Sequence, residues 1–288
     1  MPRNVARNPS RRRLALLVLG VLLVVHLAAF VLYTQRERQS QLLALFLDAR
    51  DQWKAGHLEI AAHEYAEFIA ARSAAAWPLV LLRSFPDAAS GWFALGRVQA
   101  VRGDSTAALA AFERSMALDP GRGRREYRDL LLQSGQGARL AAFARAELAR
   151  DPDSASAAKD LGAAQLALGD AAAAVAAYQQ ALFLLPRFLE RRDPAAVGAL
   201  LSSPEADLLN LLSVATRLAG DRPRADAICD GLARRQPRGA HLDRLCRAYQ
   251  RADGGDARGA REELGGYLPP APEHEALVAA LTARLGAA

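Results

Sequence analysis

Lysine is nearly missing from this chain of 288 residues, with Lys54 and Lys159 as its only two. The remaining basic side chains are arginine, and with the abundant alanine that bias reads as a GC-rich bacterial genome rather than as function. Acids are absent from residues 1–33, which hold five arginines. The formal net charge of +6 therefore falls to +1 for everything after residue 33. A nearly neutral body lacks the clustered basic face that nucleic acid requires. Arg244, Arg247, Arg251, Arg258 and Arg261 read as solvated helix faces rather than a binding stripe. There is no Gly-rich phosphate loop, no HExxH helix and no GxSxG elbow. The sequence thus offers no catalytic residue, no metal or cofactor set and no small-molecule site.

One long apolar run is present. Leu14 to Tyr33 covers twenty residues without a charged side chain, with His26 inside it. Twenty residues at helical rise span a bilayer core. Arg3, Arg7, Arg11, Arg12 and Arg13 precede it, which by the positive-inside rule puts the N-terminus in the cytoplasm. The expected order is a basic tail at 1–13, a transmembrane helix at 14–33 and an exported domain at 34–288, periplasmic in a Gram-negative cell. A cleaved signal peptide is the competing reading, with Leu27-Ala28-Ala29 as a poor cleavage site, but the run exceeds the usual apolar core of such peptides. Ser10 to Leu14 also resembles a twin-arginine export signal. His26 reads as a tolerated passenger, with no second polar partner in its helix.

The body is organised by a recurrence. Gly103-Asp104, Gly169-Asp170, Gly220-Asp221 and Gly255-Asp256 are each followed by an alanine five residues after the glycine (Ala108, Ala174, Ala225, Ala260). Each is followed by a proline at seventeen (Pro120, Pro186, Pro237, Pro272). Seven residues before each glycine stands a small residue (Gly96, Gly162, Ser213, Ala248), and nine after it a larger apolar one (Phe112, Tyr178, Cys229, Leu264). Fixed-spacing self-similarity signals stacked helical hairpins. The glycine ends one helix in a left-handed cap, the aspartate starts the next and the proline closes the unit. The small residue should meet the matching alanine of the facing helix, and the larger residue should plug the seam between hairpins.

These units resemble tetratricopeptide repeats. Ala89 to Arg122 carries the pattern through Trp92, Leu95, Gly96, Gly103, Ala108, Phe112 and Pro120; Ala155 to Phe188 carries it through Leu161, Gly162, Gly169, Ala174, Tyr178 and Pro186. Repeats at 206–239 and 241–274 are more worn, one at 121–154 keeps the step from Gly135 to Pro152, and a helix pair is expected at 42–72. Residues 73–88 and 189–205 interrupt the period, and a terminal helix at 273–285 should cap the end. The fold class is all-α: a helix-turn-helix solenoid after one transmembrane helix. The resemblance implies a groove lined by the first helices of the repeats, with Phe93, Arg97, Lys159, Asn210, Arg217, Leu245 and Tyr249 as candidate contacts. The Lys-then-Asn pairing of a carboxylate clamp is absent, so an internal peptide is the expected ligand.

Similar layouts serve cytochrome c maturation, pilus or secretion assembly, polysaccharide export and quality control. The implied function is a membrane-anchored scaffold for envelope proteins or peptides; the alternative is a fixed accessory subunit of a membrane enzyme, secretion or polysaccharide-export complex. Glu59, His63 and Glu67 share a helix face, as a metal or acid/base site would need, but read as a polar outer stripe. His57, His241 and His274 read as solvent-exposed. Cys229 and Cys246 fall on neighbouring helices; an oxidising compartment permits a disulfide, while the seam position of Cys229 favours two buried thiols.

Overall fold

The computed structural model describes residues 9–74, 86–192, 203–235 and 241–287. Among the described residues the regular structure is entirely helical: α1 (Pro9–Lys54), α2 (Leu58–Ala74), α3 (Ala88–Val101), α4 (Ser105–Leu118), α5 (Arg124–Gln133), α6 (Gly137–Arg150), α7 (Ala155–Ala167), α8 (Ala171–Arg192), α9 (Ser203–Leu218), α10 (Arg222–Arg235), α11 (Arg244–Asp253), α12 (Ala257–Gly265) and α13 (Pro272–Gly286). They form two compact units, Met1–Arg124 and Arg125–Ala288.

The Gly-Asp pair builds each hairpin turn. Gly103 and Gly169 adopt φ of +82° and +81°, a left-handed conformation that glycine enters without a Cβ penalty. The following aspartate turns the chain back into helix: Asp104 Oδ1 accepts from the Ala107 amide at 2.9 Å, and Asp170 from Ala173 at 2.9 Å. Asp221 and Asp256 cap α10 and α12 the same way. Gln136, which follows Gly135, makes no such bond, the local reason that hairpin departs from the pattern.

In the N-terminal unit α1 packs on α2, α2 on α3 and α3 on α4. The helix that carries the apolar run does not stop at its end. It continues for 46 residues, so its last turns form the first arm of the α1–α2 hairpin, with Phe46 edge-on to Tyr65 and Phe68. From Val18 to Lys54 it is long and apolar enough to cross a membrane, and the large apolar side chains from Val18 to Tyr33 are exposed. Within it His26 Nδ1 lies 2.8 Å from the Leu22 carbonyl, which satisfies the imidazole inside its own helix.

The packing of the small residues differs from the expectation. A Cβ on Gly96 would lie 2.7 Å from the Phe112 ring, and one on Gly162 2.6 Å from the Tyr178 ring. The glycine therefore receives the aromatic of its own hairpin, and the ring fills the interior of the pair rather than the seam to the next. Only in the third hairpin does the small residue meet the matching alanine, where Ser213 Oγ donates to the Ala225 carbonyl at 2.9 Å.

Two prolines do not close their units. α8 runs through Pro186 to Arg192, because proline's fixed φ is itself helical and what it removes is one backbone hydrogen bond, not the conformation. Pro272 opens α13 at its first turn, where a missing N–H has no intrahelical partner to lose. Pro237 lies outside the described residues, as do parts of both interrupting stretches.

Candidate partner-binding face of the C-terminal unit

Of the seven groove candidates, Phe93 and Arg97 belong to the N-terminal unit. Arg97, on α3, lays its guanidinium over the Trp53 indole of α1 at 4.4 Å and near the Phe93 ring at 5.9 Å. Arg97 is exposed and Phe93 half-buried. Cation–π attraction holds the arginine flat on the helix pair.

The other five lie in the C-terminal unit, and four of them are buried. Asn210 braces α9 against α11: its amide donates to the Leu242 carbonyl and its Oδ1 accepts from the Cys246 amide at 3.3 Å. Arg217 is bonded to Asp226 of α10 and to Asp253 of α11. Burial pushes the Asp253 carboxyl up, but hydrogen bonds from Arg284 and Arg217 hold it below the ordinary carboxylate range. Leu245 and Tyr249 belong to the main apolar cluster. These residues were expected in an open groove; they pack instead because α9 and α11 lie directly against each other and α13 covers what remains.

α13 is the element the repeat pattern did not place. It does more than cover the last hairpin, since Glu273 reaches Lys159 of α7 at 2.6 Å. Tyr249 of α11 donates to the Leu277 carbonyl at 2.8 Å, Arg284 pairs with Asp253 at 2.6 Å, and Arg261 of α12 donates to the Leu285 carbonyl at 2.6 Å. Glu273, His274, Leu277, Leu281 and Leu285 are its buried residues. Between α13 and helices α5, α7, α9 and α11 lies a cavity of about 350 Å³, lined by Leu132, Ala163, Leu166, Tyr249, Ala276 and Ala280 among others.

Charge is concentrated at the mouth of α13. Arg128 of α5 pairs with Asp160 at 3.3 Å and Asp129 at 2.5 Å, and Lys159 holds Glu273. Burial lifts the Asp160 carboxyl to about 7 against the opposing pull of Arg128 and Lys159. Burial raises Glu273 as well, but Lys159 outweighs it and leaves that carboxyl below its usual range. Asp207 on α9 is also raised by burial, with Lys159 opposing. His274, expected at the surface, is wholly buried with Nδ1 2.5 Å from Tyr267 Oη; desolvation drops its pKa to about 4.

The cysteines are joined, Cys229 to Cys246, with their α-carbons 5.8 Å apart. Two buried thiols were the favoured expectation, but α10 and α11 bring the side chains within bonding reach, and both remain buried. The Glu59, His63, Glu67 stripe is dispersed into surface pairs: Glu59 with Arg102 of α3 at 2.5 Å, and His63 with Glu67 at 3.2 Å. Among the described residues no group of three metal-ligating side chains converges.

Sequence reasoning missed Arg128, Asp160 and the whole α13 stripe. The signal was present in Glu273, Leu277, Leu281 and Leu285, which recur every fourth residue. That spacing marks one helix face but does not say what the face covers.

Hairpins turned by Gly-Asp, with an aromatic seated on a small residue, define a helical-repeat protein. In particular, it is a tetratricopeptide-repeat protein, and residues 80–192 match the family model described as the cytochrome c-type biogenesis protein H TPR domain. The match covers less than half of the chain. Solved structures of similar fold include MamA (residues 41 to the end) from Desulfovibrio magneticus RS-1, at 17% identity and a TM-score of 0.47 over 68% of this chain and 96% of that one. PilF of Pseudomonas aeruginosa aligns at 13% identity and a TM-score of 0.46 over 85% and 99%. YrrB, a TPR protein with an unusual peptide-binding site, aligns at 15% and 0.46 over 73% and 95%. The sequence matches no curated protein.

Proposed function

We propose that this chain is a membrane-anchored scaffold that binds protein or peptide partners during assembly of an envelope complex, with residues 14–33 as its anchor, the N-terminus cytoplasmic and the helical units outside the cytoplasm. The observation that carries this reading is the match of residues 80–192 to a TPR domain described for cytochrome c-type biogenesis. A TPR unit supplies binding surface, and the matched description makes c-type cytochrome assembly the particular process to test. The apolar helix α1 supports the anchor, and its continuity into the α1–α2 hairpin couples the first repeat to the bilayer without a flexible linker. Anchoring confines the scaffold to the surface where envelope partners emerge and raises their effective concentration there.

Depletion of the chain followed by quantification of haem-bearing cytochromes, together with crosslinking in native membranes and identification of the adducts, tests the reading. Loss of holocytochrome with recovery of apocytochrome or its assembly proteins is expected. Normal cytochrome content, with adducts confined to one stoichiometric partner of another complex, would replace the reading with a fixed accessory subunit.

A further inference from the structure

The face formed by α5, α7, α9 and α11 already holds a helix, and it holds it imperfectly. α13 places one carboxylate and three leucines into it at four-residue intervals: Glu273, Leu277, Leu281 and Leu285 are all buried there. Glu273 meets Lys159, one of the two lysines of the chain, with the Arg128 guanidinium also acting on it. A charge-assisted contact at the helix N-terminus and a leucine stripe behind it amount to a docking pattern for an amphipathic helix.

The fit is incomplete at the positions between the leucines. Ala276 and Ala280 project methyl groups at the cavity of about 350 Å³ and remain exposed. Tyr178, fully buried on the wall of the same cavity, has a hydroxyl without a partner among the described residues. A buried hydroxyl left unbonded is costly, and an unfilled apolar cavity loses packing. The face is larger than its resident helix requires.

We propose that α13 is a displaceable internal ligand, and that the face beneath it receives a helix of a partner protein with a carboxylate in its first turn and leucines four, eight and twelve residues on. Larger apolar residues three and seven positions after that carboxylate, where α13 has Ala276 and Ala280, give the incoming helix its advantage. The proposal rests on the scaffold reading above and specifies its ligand and its regulation: the face is closed until a better-fitting helix competes. The occupant is a foreign helix, because α13 of a second copy would bring the same two alanines to the same cavity.

The full-length chain tests this with a labelled synthetic peptide of residues 270–287 and the same peptide carrying leucine at the positions of Ala276 and Ala280. Glu273→Lys sets like charges against Lys159 and Arg128. It should speed hydrogen exchange of the α13 amides at least tenfold and tighten peptide binding by a similar factor, with the leucine-filled peptide the stronger of the two. The double reversal Lys159→Glu with Glu273→Lys restores an ion pair and should return slow exchange and weak binding; this guards against a single variant that merely unfolds. Equal peptide binding by wild type, single and double variants would overturn the proposal. So would a parent peptide that outcompetes the filled one, or concentration-dependent dimers of the single variant in place of peptide binding. Membrane crosslinking to envelope partners is independent of these results, so the scaffold reading can survive a failure here.

Discussion

Gly162 shows how a single missing methyl sets the geometry of a hairpin. A Cβ there would stand 2.6 Å from a Tyr178 ring that is itself fully buried. Gly162→Ala gains helix propensity of about 1 kcal/mol but overpacks at a cost of ~1–3 kcal/mol, so a net loss is expected in urea unfolding. Gly231, in the interior of α10 with nothing within 4 Å, is the control, and its alanine variant should be stabilised by up to about 1 kcal/mol. His274 provides a pH test at the same scale. Its folded pKa of about 4 lies below the ordinary 6.5, so the neutral ring's contribution is whole above pH 6.5 and is lost as pH falls toward 4. The charged groups that act on it are Glu273 and Lys159, and its hydrogen-bond partner is Tyr267. Asp160, raised to about 7, works the other way, its contribution falling as pH rises through that value. The difference between wild type and His274→Phe isolates the histidine: it should shrink by ~3 kcal/mol between pH 7 and pH 4 in chemical unfolding. A pH-independent difference would show that the ring is not held neutral by its surroundings.

At the scale of the element, the turn was legible and the ends of the repeat were not. Gly-Asp reads directly as a left-handed cap followed by an N-cap, because both halves are local chemistry. Asp170→Ala should therefore cost about 1 kcal/mol, while Gln136→Ala, at a turn without a side-chain cap, should cost less; thermal melts of the two variants make the comparison. Proline was less informative, since it is compatible with a helix start at Pro272 and with a helix interior at Pro186. The groove residues were misplaced for a different reason. Periodicity assigns Asn210, Arg217, Leu245 and Tyr249 to the faces of first helices, but whether such a face is open depends on an element far along the chain, and α13 decides that. The Cys229–Cys246 bond joins α10 to α11 across 17 residues. Opening it should destabilise the C-terminal unit by ~3 kcal/mol on loop-entropy grounds, seen as a lower melting temperature with reductant and as alkylation only after reduction.

At the scale of the molecule, the tetratricopeptide character and the all-helical architecture could be read from sequence, because the repeat is written in small residues, caps and aromatics at fixed spacing. The identity of the bound helix could not, because it depends on a partner's side chains as much as on this chain's. The central claim is that the face under α13 engages partner helices while α1 holds the chain in a membrane. Site-specific photo-crosslinking in native membranes tests it most directly, with the reactive group in the full-length chain at Leu166, on the cavity wall, and at exposed Ala176 of α8 as control. The account predicts discrete protein adducts in the membrane fraction from Leu166, increased by Glu273→Lys, and few from Ala176. Adducts from Ala176 alone, or a chain recovered in the soluble fraction with none from Leu166, would contradict it.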